Sequence, residues 1–200
     1  MAGPGGLQKG APERVAAVAA ARPEERVEVF FQDEARLGQK GSLTRVWAPR
    51  GSRPTAVRQV EYESLWAFTA ACPATGQAVG LVAPRADTEA TNVFLGLMSA
   101  SLEPGVHAVL IGDNAGFHTG KSLVVPANIT LLPLPPYAPE RNPVENLWHY
   151  LRAHHWSLRV YRDHEALKEA AVTAWRAVCL VPELIRSVCA APYLLEDTRT

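Results

Sequence analysis

"VEVFFQDE", residues 27–34, is an apolar, β-branched and aromatic run that ends abruptly in two acids. Its residues favour a pleated, packed surface, so it reads as a buried strand. "VLIGDNAGFH", residues 109–118, repeats the pattern and closes on Asp113. A third acid, Glu145, falls in the first turn of a helix that follows the loop "PPYAPERNP". If the two strands are neighbours, Asp33 and Asp113 emerge at one edge of one sheet. The helix starting near residue 143 then lays Glu145 over that edge. Carboxylate oxygens are hard ligands suited to Mg²⁺. Two such ions can activate an attacking oxygen and stabilise a leaving one at a phosphodiester. Each acid also has a plainer reading. Asp33 suits a turn, and Asp113 suits an Asx-turn with Asn114. Glu145 suits a capping box, with Asn142 as cap and Pro143 at the first helical position. Glu34 and Asn114 stand beside the first two acids as alternative or supporting ligands.

Outward from these stretches the chain alternates strands and helices. A short helix is expected over 12–21, and Pro49, Gly51 and Pro54 break residues 44–60 into short strands around a turn. "SLWAFTAAC" and "AVGLVAP" flank the turn "PATG" and read as a hairpin. Residues 88–102 read as a helix capped by Thr88, with Val93, Leu97 and Met98 at helical spacing and Phe94 beside them. Strands follow at 107–114 and 129–135, then helices at 143 to about 156, at about 163–179, and a short one after Pro182. This order predicts an α/β layer fold whose functional groups gather at strand ends. Three parts are expected: 1–26, a flexible Gly-rich segment and short helix; 27–180, the catalytic domain; 181–200, a C-terminal tail.

Composition narrows the classes. Lys+Arg and Asp+Glu are 20 each, so the formal charge is zero, against a strongly basic nucleic-acid module but not against local patches. Cys72, Cys179 and Cys189 are odd in number and form no CxxC pair, which fits a reducing compartment. No stretch approaches the roughly 20 apolar residues of a membrane span.

"VEVFFQDEARLGQKGSLTRVWAPRGSRP", "VLIGDNAGFH" and "LLPLPPYAPERNPVENLWHYLR" together resemble the DDE endonuclease domain of bacterial insertion-sequence transposases of the mariner-like superfamily. The resemblance covers about residues 27–155. It implies a ribonuclease-H-like mixed sheet flanked by helices. It implies metal-dependent DNA cleavage and strand transfer, with two Mg²⁺ ions or Mn²⁺ in their place. It makes Asp33, Asp113 and Glu145 the catalytic acids and metal ligands. Glu145 comes 32 positions after Asp113, a little tighter than the mariner-type pattern. His118 falls where the family often has a His. The partners implied are transposon-end and target DNA, a second copy in the active complex, and a helix-turn-helix region for reading ends. The setting implied is the cytoplasm, at the nucleoid, with no membrane. The alternatives are a cleavage-only ribonuclease-H-like nuclease and an inactive truncated copy that binds DNA or a protein partner.

Residues 36–58 contain Arg36, Lys40, Arg45, Arg50, Arg53 and Arg58 and no acid. Directly after Asp33, such a run suits phosphate contact. Trp47 within it is expected to pack the hairpin rather than stack on a base. Glu145, His149 and Arg152 can share one helix face, which would put Arg152 beside DNA. Leu147, Trp148 and Leu151 are expected to face the core. His149, His154 and His155 lack a cysteine pair and are read as surface or phosphate-contacting groups rather than zinc ligands.

Overall fold

The opening run becomes β1 (Arg26–Gly38), a 13-residue strand at the centre of a five-stranded sheet. This is a computed structural model, and it describes residues 10–40, 47–55, 59–113, 122–134 and 142–190. The other strands are β2 (Ser64–Ala71), β3 (Ala78–Ala83), β4 (Val106–Gly112) and β5 (Ile129–Pro133). They pair in the order β3-β2-β1-β4-β5. β1, β2 and β3 form an antiparallel meander, whereas β4 runs parallel to β1 and β5 parallel to β4. The two strands are therefore neighbours, as the site reading requires, but β1 does not end at its acids as the sequence suggested: pairing with β2 carries it through Asp33 and Glu34 to Gly38. Their pairing runs from Arg26↔Val106 to Phe31↔Ile111. β1 then continues for seven residues against β2 alone.

Side chains alternate across a strand, so each strand feeds two cores. Phe31, Ala35 and Leu37 of β1 join Val109 and Ile111 on one face. The helices α3 (Val144–Leu151), α4 (His164–Cys179) and α5 (Pro182–Val188) cover it with Leu147, Trp148, Leu151, Leu167 and Ile185. The first helix, α1 (Gly10–Ala20), packs Val15 and Val18 against the same cluster. Phe30, Phe68, Ala108 and Leu110 point the other way, onto Phe94, Leu95 and Met98 of α2 (Thr88–Ser101). α5 lies beyond the boundary drawn at residue 180, yet Ile185 and Cys189 are fully buried. Among the described residues no helix is long and apolar enough to cross a membrane. All three cysteines are buried and free.

Several local expectations are corrected. α2 buries Thr91, Phe94, Leu95 and Met98, and leaves Val93 and Leu97 50% and 45% exposed. Both sets have helical spacing; contact with the sheet selects the first. Its cap is Asp87, whose Oδ1 accepts the Ala90 N–H at 2.9 Å, rather than Thr88, which is already in the helix. Of residues 44–60, 44–46 and 56–58 lie outside the described residues, and the remainder form no strand. Trp47 does not pack: it is fully exposed. The helix expected to about residue 156 is α3 followed by one π-helical turn, Arg152–Trp156, closed by Ser157 N–H to the Arg152 carbonyl at 3.0 Å. The wider turn moves the apolar stripe on by one residue. Leu151 and Trp156 are both buried as a result, and Trp156 stacks on Trp148 with ring centroids 6.2 Å apart.

β3 and α4 meet with no room for a side chain. A Cβ on Gly80 would fall inside the Trp175 indole, whose N–H donates to the buried Thr69 hydroxyl at 2.8 Å. Gly80→Ala should destabilise the fold by about 1–3 kcal/mol through overpacking. Gly96→Ala, on α2 where an added Cβ meets nothing, should stabilise it by about 0.5–1 kcal/mol. Urea unfolding of the two variants beside the parent checks both signs.

Candidate active site

The pleat of β1 separates its two adjacent acids. Asp33 shares a face with Phe31 and Ala35, under α3. Glu34 shares the opposite face with Gln32, whose amide Nε2 donates to Glu34 Oε1 at 2.6 Å. Asp33, not Glu34, therefore faces the helix that carries Glu145. One turn along that helix, buried Trp148 donates its indole N–H to Asp33 Oδ2 at 2.8 Å. A buried indole seeks a polar partner for its N–H, and here the partner is the acid.

Asp33 is electrostatically loaded. Burial first, then the Glu145 and Glu34 carboxylates, push its pKa from the ordinary 3.8 up to about 7. The Trp148 hydrogen bond pulls the other way by favouring the anion. Glu145 is half-buried in the first turn of α3. Asn142 does act as a cap, its Oδ1 accepting the Val144 N–H at 3.1 Å. The return half of a capping box does not form: among the described residues Glu145 makes no side-chain hydrogen bond. Its carboxylate instead stands within electrostatic reach of Asp33.

Asp113 is the first residue past β4 and is exposed. The last parallel pair is Phe31↔Ile111, and two residues further along each strand come Asp33 and Asp113. Strand alternation carries Asp33 to the face of Phe31. Asn114 and His118 lie outside the described residues. Among the described residues no group of three His, Cys, Asp or Glu side chains stands close enough to hold a metal ion. The structure thus brings Asp33 and Glu145 together and places Asp113 at the same sheet edge, without closing a three-ligand group. Asp33 and Glu145, within electrostatic reach of each other, offer only carboxylate oxygen, the donor a hard divalent cation takes.

The basic set is scattered along the chain from this edge. Arg36 is exposed and its Nε donates to Ser64 Oγ at 3.1 Å. Lys40 sits 5.1 Å from the centroid of the Tyr62 ring. Arg50 and Arg53 are exposed; Arg45 and Arg58 lie outside the described residues. Arg152 is half-buried at the start of the π turn. His149 is exposed, with Nδ1 2.8 Å from the Glu145 carbonyl. Sequence reasoning assigned Trp148 to packing alone and missed its contact with Asp33. Its only signal was an indole N–H in need of a partner.

A central strand carrying a loaded acid just past its last parallel pair, a parallel neighbour leading into a second acid, and a helix with a third within electrostatic reach of the first define a class. The chain belongs to the DDE superfamily endonucleases, whose family model matches residues 28–168. A protein of Sinorhizobium fredii (strain NBRC 101917 / NGR234), described only as uncharacterized protein y4pE/y4sA, is 43% identical over 126 residues, 62% of this chain and 93% of its own. Among solved structures, the Mos1 mariner paired end complex with Mn matches with a TM-score of 0.67 at 14% identity, over 95% of this chain. The Mos1 strand transfer complex matches at 0.61 and 14% identity over 96% of this chain, and the paired end complex with Mg at 0.62 and 10% identity over 95%. The chain spans about three-fifths of the length of these Mos1 chains. The fold is accordingly the ribonuclease-H-like mixed sheet of the mariner transposases.

Two outcomes test the electrostatics. Trp148→Phe keeps an aromatic ring, though a smaller one, and removes the N–H, so the Asp33 pKa should rise further; carboxyl-carbon NMR titration reads it. Because the folded value lies above the unfolded one, Asp33 contributes stability that is fully present below about pH 4 and lost as pH rises through about 7. Metal-free Asp33→Asn should therefore melt above the parent at pH 8, by an amount on the order of 2–4 kcal/mol, and lose that advantage at pH 4.

Proposed function

We propose that this chain is the catalytic domain of a transposase that cuts DNA phosphodiester bonds and joins the freed 3′-hydroxyl end to target DNA. Membership of the DDE family and the Asp33–Glu145 juxtaposition at the β1–β4 edge support this reading. Asp33, Asp113 and Glu145 are proposed to hold two Mg²⁺ ions, or Mn²⁺ in their place. When bound, such ions supply Lewis acidity to the attacking and leaving oxygens of an in-line displacement. The carboxylates act as ligands and not as nucleophiles, so no covalent protein–DNA intermediate forms. Trp148 holds one oxygen of Asp33 and fixes the orientation of that carboxylate. Arg36, Lys40, Arg50 and Arg53 supply exposed or rim charge for the phosphates, with Arg45 and Arg152 in the same role. Asn114, His118 and Glu34 support the site. Two copies act together on the DNA ends, a helix-turn-helix region reads those ends, and the reaction takes place in the cytoplasm at the nucleoid. The Mos1 structures are named as paired end and strand transfer complexes, which favours joining over cleavage alone.

The test is nicking and joining of a plasmid carrying the terminal repeats that flank the gene, with Mg²⁺ or Mn²⁺ and the end-reading region supplied. Asp33→Asn, Asp113→Asn and Glu145→Gln should each abolish both steps. Intact activity in Asp113→Asn sinks the assignment. Cleavage without joining selects the nuclease-only alternative. A non-catalytic copy draws on the exposure of Asp113 and on the lack of a three-acid group among the described residues. Calorimetric absence of Mn²⁺ binding together with a stable DNA or protein complex selects it. The basic residues have their own readout. Arg50→Ala with Arg53→Ala should weaken DNA binding and reduce the log–log salt slope by about 2.

A further inference from the structure

A buried amide joins the two elements that bring Asp33 and Glu145 together. Asn142 is only 5% exposed and lies outside α3, just ahead of it. Its Nδ2 donates to the Gln32 main-chain carbonyl at 2.8 Å, across 110 residues of sequence. Its Oδ1 accepts the Val144 N–H at 3.1 Å, and its own carbonyl accepts the Glu145 N–H at 3.0 Å. Gln32 immediately precedes Asp33, and Val144 immediately precedes Glu145. One side chain therefore grips the main chain next to the first acid and the main chain next to the last.

The Gln32 end is itself held. Its side chain donates to Glu34 at 2.6 Å and lies over Gly112, where a Cβ would stand 2.6 Å from Gln32 Oε1. The β1–β4 pairing stops at Phe31↔Ile111, so Asn142 attaches α3 to the sheet just past the last parallel pair. Only a side chain with both a donor and an acceptor at this length does the two tasks at once. Aspartate caps a helix well but has no proton to donate at neutral pH; serine caps well but its hydroxyl is shorter.

We infer that Asn142 is a positioning residue: it sets the separation between the carboxylates of Asp33 and Glu145 by fastening the first turn of α3 to β1. The inference rests on the proposed metal site for its functional consequence. It concerns a residue that touches no reacting atom.

The test compares Asn142→Ser, which keeps a capping oxygen and adds no charge, with Phe94→Leu, a core change on the opposite face of the sheet. Both are read with the whole chain, at a temperature where circular dichroism shows each folded. Mn²⁺ affinity by calorimetry should fall about tenfold or more in Asn142→Ser, the size expected when a supporting partner of a ligand is lost, and stay unchanged in Phe94→Leu. In a Glu145→Gln background the same Asn142→Ser change should have no effect on Mn²⁺ affinity, because the residue acts through Glu145. The indole N–H proton signal of Trp148, identified by its loss in Trp148→Phe, supplies a metal-free readout. It should shift in Asn142→Ser as α3 moves against Asp33. Movement of this signal with no Mn²⁺ binding by the parent keeps the positioning role and removes the metal reading. An unmoved signal with unchanged Mn²⁺ affinity would falsify the inference, and so would an equal effect in the Glu145→Gln background. If Asn142→Ser does not fold, Asn142→Asp keeps the cap without the donor, and the same indole signal decides.

Discussion

The length mismatch between β1 and β4 is the constraint from which the rest of the site follows. β1 is paired by β2 through to Gly38, but its parallel partner β4 stops at Gly112. Past Phe31↔Ile111 no strand among the described residues pairs with β1 on the β4 side. Functional groups in α/β sheets collect beyond the carboxyl ends of parallel strands, where side chains emerge at an open edge. Here Asp33 and Asp113 emerge at that edge and α3 closes over it.

Building such an edge costs stability. A carboxyl pushed to a pKa of about 7 by burial and by two neighbouring carboxylates is a charge the metal-free fold resists. The cost is offset by what surrounds it. Trp148 and Trp156 stack beneath the site, the first donating to Asp33, and the face they belong to is the larger of the two cores. The same residues thus supply burial that raises the acid's pKa and a hydrogen bond that tempers the rise. Burial and hydrogen bonding thus act on Asp33 in opposite directions, and the helix that covers it supplies both. The proposed cation would relieve the repulsion that remains.

The strands and the acids beside them were legible because they are local. "VEVFFQDE" and "VLIGDNAGFH" show their type in four or five consecutive residues, and Asn142–Pro143 announces a helix start. Phase was less legible. Val93 and Leu97 have the same helical spacing as Phe94 and Met98, and only the sheet beneath α2 chooses between them. Thr88 and Asp87 are both good caps, and the backbone bend falls at Asp87. Trp47 read as packing because indoles usually pack, yet it is fully exposed. The π turn after Leu151 left no mark in the pattern, since one inserted residue in a helix looks like the next turn of an ordinary one.

By itself, the sequence determined that these runs are strands and which acids they carry or lead into, because an apolar run meeting a carboxylate is a property of neighbours along the chain. It determined the cap of α3 for the same reason. That β1 does not stop at its acids but runs on to Gly38 was decided by its pairing with β2. Which of two adjacent acids faces the site was decided by tertiary structure: the pleat turns Asp33 toward α3 and Glu34 toward Gln32. That Glu145 stands within electrostatic reach of Asp33 and makes no return bond to Asn142 among the described residues is likewise a tertiary fact. Those answers depend on contacts across more than a hundred residues, from β1 to α3. Such contacts exist only once burial of both helix and strand has brought the two ends of the domain together.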